Sequence, residues 1–292
     1  MNNYLWLLRR EFWENRSILI VPAVISVALI AATMFGRVQI DGLTFPSPDQ
    51  NRALGATVLF AFGVVFIIAM LLYCFWYLLD CLYADRKDRS VLFWKSLPIS
   101  DAATVFSKLI FGLIVIPVVY FAAADVSSLL MSIILYVRAR SLGATLWRPE
   151  LWLQLQVLWA YLMLTAAVWY LPVAGWLLLV SAWAKRAAIL WATLPVLGVC
   201  LAERLFIGSN VCARVLADRL ARYPDHALAD IEHQAHWVSG PGGHGIIGTT
   251  SSVWSMLDPI GFLTSPATWI GVIVGGAMIT GAIQLRMRRA DS

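Results

Sequence analysis

The stretch ALGATVLFAFGVVFIIAMLLYCFWYLL, residues 53–79, contains no Asp, Glu, Lys or Arg. A helix of roughly 20 apolar residues crosses the ~30 Å hydrocarbon layer of a membrane, and this stretch exceeds that length. A helix also satisfies its own backbone polar groups, which lipid cannot do. We therefore interpret residues 53–79 as a membrane-spanning helix.

Five further stretches are long and apolar enough to span, which predicts an all-α, polytopic membrane protein with one transmembrane domain over residues 1–292. The composition agrees, because 60% of the residues are hydrophobic and 13% are charged, against about 45–50% and 25% in soluble proteins. Prolines inside four spans remove backbone donors and predict kinks. The predicted spans are Ser17–Gly36, Ala53–Leu79, Thr104–Val137, Leu151–Trp183, Ala187–Ile207 and Ala267–Leu285, and the prolines are Pro22, Pro117, Pro172 and Pro195.

The basic residues predict the orientation of the chain. With the N-terminus inside, the inner segments hold 13 of the 22 Lys and Arg residues and the short outer loops hold five. The other four lie at or within the long outer segment between the fifth and sixth spans, where charge has less influence on topology. This bias predicts cytoplasmic N- and C-termini. Because the basic residues flank apolar runs and form no patch, the net charge of +5 does not indicate nucleic-acid binding.

Residues 1–16 precede the first span and have helical periodicity. Leu5, Leu8 and Phe12 recur on one face, with Arg9 and Arg16 between apolar positions. This pattern predicts a helix over Asn3–Arg16 that lies in the inner interface. The alternative is a frayed, charged N-terminus.

The longest polar segment, residues 208–266, precedes the last span and is predicted to be extracytoplasmic. Val211, Val215 and Leu220 predict a short amphipathic helix on the outer surface. Of the four cysteines, only Cys212 lies in a polar segment, so we expect no disulfide framework.

The most informative polar stretch is ADRKDRSVLFWKSLPISD, residues 84–101, within the predicted inner loop 80–107. Ser90 is a plausible helix N-cap, and Pro98 ends the helix that would follow it. Ser100 or Asp101 can cap the next helix, which becomes the third span. The pattern predicts a short helix with aromatic and basic faces, held at the membrane surface and suited to docking on a partner.

This stretch resembles the corresponding loop of type-2 ABC exporter permeases. The close match covers Asp85–Lys108, while the six-span layout, the N-terminal helix and the long outer segment match loosely over the whole chain. In that family the loop carries a coupling helix that contacts a separate ATP-binding subunit, and the permease is usually a dimer. The resemblance implies that the contact residues are among Asp85, Arg86, Asp88, Arg89, Ser90, Phe93, Trp94 and Lys95.

The resemblance further implies a transport subunit without its own ATPase site, with ATP and Mg²⁺ bound by the partner. The chain contains no G-x-x-x-x-G-K-[ST] phosphate loop. It contains Gly243-His-Gly-Ile-Ile-Gly248, but no predicted strand precedes this match, so we interpret it as a turn. The few charges in the spans favour an amphipathic or hydrophobic substrate, such as a drug, peptide or lipid-like compound. The alternative to a coupling loop is a basic loop that only sets the membrane orientation and contains a chance interfacial helix.

Two other sets of residues are candidates for function. Asp125 lies roughly 30 Å along the third span from Thr104, and ionisable residues in spans face a bundle interior or a cavity. It could line a substrate path or make a structural hydrogen bond. His233 and His236 are three residues apart and could share a helical face, which makes them weak metal candidates or exposed loop residues. A stand-alone membrane enzyme or sensor using this segment is the alternative function, and a secondary transporter is a third.

Overall fold

The computed structural model describes residues 3–35, 48–87, 100–138, 149–228, 237–238, 246–247 and 257–288. These residues are helical apart from short connections and one antiparallel pair of two-residue strands. The elements are α1 Asn3–Glu14, α2 Ser17–Phe35, α3 Pro48–Lys87, α4 Asp101–Ile110, α5 Ile116–Arg138, α6 Pro149–Trp169, α7 Leu171–Trp183, α8 Ala188–Ala202, α9 Val211–Ala221, α10 Tyr223–Ala227, β1 Trp237–Val238, β2 Ile246–Ile247, α11 Pro259–Thr264 and α12 Pro266–Arg288. Five-residue π-helical turns, Phe111–Val115 and Glu203–Ile207, follow α4 and α8.

Six stretches of helix are long and apolar enough to cross a membrane, which confirms the predicted multi-pass architecture. They are α2, the C-terminal part of α3 from Phe62, α4 continued through α5, most of α6, α8 with its π-turn, and α12. Large apolar side chains such as Val27, Leu197 and Ile273 remain exposed on these helices. Apolar surface of this kind suits contact with lipid and would be unfavourable in water.

Two of the prolines lie beside departures from regular α-helix. The fourth predicted span is two helices, because the chain breaks at Tyr170 and Pro172 lies in the first turn of α7. Pro117 is the second residue of α5, directly after the π-turn. Proline lacks a backbone donor and disrupts the preceding turn of helix. Pro22 and Pro195, in contrast, lie inside continuous helices.

The closest packing of the bundle is between α7 and α12. A Cβ atom added to Gly275 would lie 2.8 Å from the backbone carbon of Leu171, and one added to Gly175 would lie 2.8 Å from the carbonyl oxygen of Gly275. Both glycines therefore let two backbones approach, as small residues do in membrane helix pairs. Buried Leu178 on α7 and Ile279 on α12 belong to the main core.

The inner loop is shorter than the sequence indicates. Helix α3 continues to Lys87 and α4 begins at Asp101, so residues 88–100 separate them. Ser100 caps α4 by accepting a hydrogen bond from the backbone N–H of Ala103 at 3.1 Å, as one of the two predicted caps. The predicted helix after Ser90 lies outside the described residues.

The expectation of no disulfide was wrong, because Cys200 and Cys212 form a disulfide. Gly208 adopts a left-handed conformation with φ of 72° and lets the chain reverse after the π-turn. Glu203 holds the returning segment, since its carboxylate accepts hydrogen bonds from the backbone N–H groups of Val211 and Cys212, each at 2.7 Å. The predicted amphipathic helix is present as α9, which starts at this turn.

Candidate functional site at the base of residues 88–99

The two helices that flank residues 88–99 end on the same face of the bundle as α1 and the C-terminal end of α12. We call this the loop face. Helix α1 packs beside α4, with Leu7 and Glu11 buried against the bundle. Trp6 and Trp13 point away and are more than half exposed, and Arg9 and Arg16 stack on their rings. This division between a packed face and an aromatic–basic face is typical of a helix at a membrane surface.

Six charged side chains meet at the loop face, in a group that we call the charge cluster. Three are cations and three are anions, and they come from four separate helices. They are Arg10, Glu11, Asp85, Asp101, Lys108 and Arg286.

Lys108 is the most buried cation of the cluster, with a side chain that is 2% exposed. Its Nζ lies 3.0 Å from Glu11 Oε1 and 3.4 Å from Asp85 Oδ1, and these carboxylates are 2% and 6% exposed. Glu11 Oε2 accepts a hydrogen bond from the hydroxyl of Tyr77 at 2.8 Å. Buried charges are stable only when they are paired and hydrogen-bonded, and this arrangement meets both conditions.

Arg286 connects the last helix to both sides of residues 88–99. Its Nε lies 2.9 Å from Asp101 Oδ1, at the start of α4, and its Nη1 lies 3.3 Å from Asp85 Oδ2, near the end of α3. Arg10 Nη2 adds a longer contact of 3.7 Å to Asp85 Oδ1. The two ends of the 88–99 segment are therefore joined to each other, to α1 and to α12.

Arg86 fastens the last turn of α3 to the end of α7. Its guanidinium donates to the carbonyl oxygen of Ala184 at 2.9 Å and also to that of Ser181. The Ser181 hydroxyl accepts from the backbone N–H groups of Leu82 and Tyr83 at 3.1 and 3.0 Å. This second connection holds α3 against α7.

The structure places two of the eight predicted contact residues. Asp85 is buried within the charge cluster and Arg86 bridges α3 and α7. The other six, Asp88, Arg89, Ser90, Phe93, Trp94 and Lys95, lie outside the described residues.

Sequence reasoning did not assign a role to four members of the cluster, namely Arg10, Glu11, Lys108 and Arg286. A signal was present for Lys108, because it falls inside the predicted third span, where a charge requires a partner. Glu11 gave a weaker signal, since it lies between Leu8 and Phe12 on the helix face that packs inward.

Asp125 lies on α5, far from the charge cluster along the third span. Its Oδ1 atom is buried and has no hydrogen-bond partner among the described residues. Nearby along α5, Ser127 donates to the hydroxyl of Ser26 on α2 at 2.7 Å. In the described part of the structure, this oxygen of Asp125 therefore keeps unused acceptor capacity.

On the opposite face, α9 and α10 cover the break between α6 and α7. Trp169 is fully buried, with the guanidinium of Arg219 4.0 Å from its ring centroid and the imidazole of His226 stacked at 4.5 Å. Arg219 also donates to the carbonyl oxygen of Ala267 at 2.8 Å, at the start of α12. Burial lowers the pKa of Arg219, but an arginine stays charged in proteins. This cation links the outer helices to two spans.

No metal centre is present among the described residues, where no group of three or more His, Cys, Asp or Glu side chains could hold an ion. His233 and His236, the weak metal candidates, lie outside the described part of the chain, so they are tested neither as metal ligands nor as exposed loop residues.

No protein-family model, curated protein or solved structure matches this chain.

Proposed function

We propose that this chain is the membrane subunit of an ATP-driven exporter and that residues 88–99 receive force from a separate ATP-binding subunit. The observation that carries the proposal is the way both ends of this segment are held. Asp85 and Asp101 flank it and share Arg286 on the last span. When a segment is fixed at both ends, its displacement moves the helices to which it is attached. A loosely attached loop would change its own conformation and leave those helices in place.

The charge cluster gives this push a route into the spans. Lys108 joins the third span to α1 through Glu11, and Arg86 joins the second span to α7. A displacement at residues 88–99 would therefore act on the second, third and last spans, on α7 and on α1 together. Coupled rigid elements of this kind support movements between two arrangements of a transporter.

The roles within the predicted contact set divide according to burial. Asp85 and Arg86 would position the segment, because both are committed to contacts within the chain. Asp88, Arg89, Ser90, Phe93, Trp94 and Lys95 would face the partner, as the resemblance to type-2 ABC exporter permeases implies. The full assembly would contain a second permease copy and two ATP-binding subunits, and ATP and Mg²⁺ would bind to those subunits.

The proposed location is a bacterial cytoplasmic membrane, with the loop face and both termini in the cytoplasm. The excess of Lys and Arg on this face supports this orientation. The Cys200–Cys212 disulfide supports it independently, because it lies at the far end of α8 from the loop face. Disulfides persist in oxidising compartments such as the bacterial periplasm and are rare in the cytosol.

The proposed cargo is a hydrophobic or amphipathic molecule. The spans contain few charges, and Asp125 is the acidic side chain well inside the third span. Its buried oxygen has no described partner, which makes it a candidate contact for a polar group of the cargo.

The test is co-purification of the tagged chain in mild detergent, followed by an ATPase assay. We expect an ATP-binding subunit in equimolar amount and ATPase activity in the eluate. The variant with Trp94→Ala and Lys95→Glu should insert normally but lose the subunit and the activity. A matched variant with Trp13→Ala and Arg16→Glu changes an exposed Trp–Arg pair on the same face and should keep both.

Retention of the subunit by the Trp94 and Lys95 variant would refute the role of the loop. A wild-type chain that purifies alone, and that shows no neighbour after crosslinking in cells, would refute the exporter assignment.

A further inference from the structure

A cleft opens at the loop face between the end of α3 and the turn that joins α7 to α8. Its volume is about 260 Å³, and its lining is Tyr83, Arg86, Lys87, Ala184 and Lys185. Three of these five residues are cationic at neutral pH and none is acidic. Arg186 follows directly and is exposed. The cleft therefore presents concentrated positive charge outside the charge cluster described above.

The start of α8 adds to this positive potential. Ala187 precedes the helix with φ of 48°, and no side chain caps the first turn. Uncapped N–H groups at a helix N-terminus favour a nearby anion. They follow Lys185 by only a few residues, so the helix dipole and the basic side chains act on the same region.

Aromatic residues place the cleft at the level of lipid headgroups. Trp183 lies next to Ala184, and its ring meets that of Trp191 edge to face at a centroid distance of 4.6 Å. Both rings are partly exposed. Tryptophan favours the membrane–water boundary, where its ring is in apolar surroundings and its N–H is near water.

We propose that this cleft binds the phosphate headgroup of an anionic phospholipid. Its charge and position match such a headgroup, since basic pockets between spans on the cytoplasmic side recognise anionic lipids. The adjacent surface of α8 decides between a lipid and a soluble anion. Leu190 and Leu194 are both more than half exposed there, and they offer apolar surface along which acyl chains can lie.

The proposal does not depend on the exporter assignment, because it needs only the membrane insertion of the chain. The lipid would bridge the second span to the fifth at the face where Arg86 already joins α3 to α7. It would thereby support the same end of α3 that precedes residues 88–99.

The test uses the full-length protein reconstituted in nanodiscs of phosphatidylcholine with a rising fraction of phosphatidylglycerol. Native mass spectrometry then counts the lipids that the released protein retains. Wild-type protein should retain phosphatidylglycerol in preference to phosphatidylcholine. Each basic residue near an anionic surface contributes ~1 kcal/mol, so the variant with Lys87→Gln and Lys185→Gln should bind phosphatidylglycerol about 30-fold more weakly.

Two controls keep the result specific. Arg288→Gln removes an exposed basic residue from the same face but outside the cleft, and it should leave retention unchanged. The variant with Lys87→Arg and Lys185→Arg keeps both charges and should retain the lipid. For wild-type protein, retention should also fall as salt rises, because exposed charges are screened.

Three results would overturn the proposal. The first is equal retention of phosphatidylcholine and phosphatidylglycerol by wild-type protein. The second is an equal loss of phosphatidylglycerol in Arg288→Gln. The third is complete displacement of phosphatidylglycerol by inorganic phosphate at equal concentration, which would assign the cleft to a soluble anion instead of a lipid.

Discussion

Replacing Lys108 by methionine keeps an unbranched side chain that is one atom shorter, but leaves two buried carboxylates without their shared cation. At 3.0 Å from Glu11, Lys108 contributes an attraction of about 5 kcal/mol if the effective dielectric constant is about 20. The burial of each ion offsets part of this attraction. Removing one partner of a buried pair therefore costs about 3–5 kcal/mol, chiefly because it strands the other charge. Glu11 would then keep only the described hydrogen bond from Tyr77.

The free energy of unfolding can be measured by SDS titration in mixed micelles. We expect Lys108→Met to lower it by about 3–5 kcal/mol. Adding Glu11→Gln removes the stranded charge and keeps an acceptor for the Tyr77 hydroxyl. The double variant should therefore regain about 1–3 kcal/mol, a coupling energy typical of residues in direct contact. Arg288→Gln, at an exposed position of α12, should change stability by less than about 0.5 kcal/mol.

Two results would contradict this reasoning. A loss below about 1 kcal/mol for Lys108→Met would mean that the cluster is solvated like a surface salt bridge. A double variant whose loss equals the sum of the two single losses would mean that Lys108 and Glu11 do not interact.

Three further predictions concern packing and the outer face. Gly275→Leu should separate α7 from α12 and prevent folding. Gly276→Leu should fold, because a Cβ at that position meets no atom within 4 Å. Size-exclusion chromatography in detergent distinguishes folded from aggregated protein. In intact cells, a membrane-impermeant maleimide should label Cys212 in the Cys200→Ser variant. It should not label Cys212 in wild-type protein until the disulfide is reduced. Labelling of the variant only after cell lysis would contradict the proposed orientation. Arg219→Met should lower the free energy of unfolding by about 2 kcal/mol, since it removes a cation–π contact and hydrogen bonds from a charged donor; an unchanged SDS midpoint would show that α9 does not stabilise the bundle.

The reversal of the chain after α8 explains why the sequence did not predict the disulfide. Cys200 belongs to a span and Cys212 to a polar segment, so the linear pattern separates them by environment. The reversal at Gly208 and the hydrogen bonds to Glu203 bring their Cα atoms to 5.3 Å, a distance that a disulfide can bridge. The hydrogen bonds of Glu203 could not be predicted from the sequence, because a carboxylate at the end of a span can equally face water.

The sequence contains an unused signal for the close pair of α7 and α12. Gly271 and Gly275 have the four-residue spacing of small residues at membrane helix interfaces, but in the structure Gly275 faces α7, whereas Gly271 faces the side chain of Arg219 on α9. The partner could not be identified, since α7 is apolar on all sides and no stripe marks the face that packs. In lipid, apolar side chains gain little by facing one another, so hydrophobic periodicity loses the directional meaning that it has in soluble proteins.

The sequence indicates six helices that are long and apolar enough to cross a membrane, because lipid requires long apolar helices whatever their neighbours are. It also limits the cap of α4 to Ser100 or Asp101, because a cap depends on residues within one helical turn, and Ser100 is the residue that caps the helix. The packing of the helices brings Glu11, Asp85, Lys108 and Arg286 into one cluster. These residues are far apart in the chain, and the pairing of their charges depends on how the helices pack, which the apolar pattern of each span does not encode.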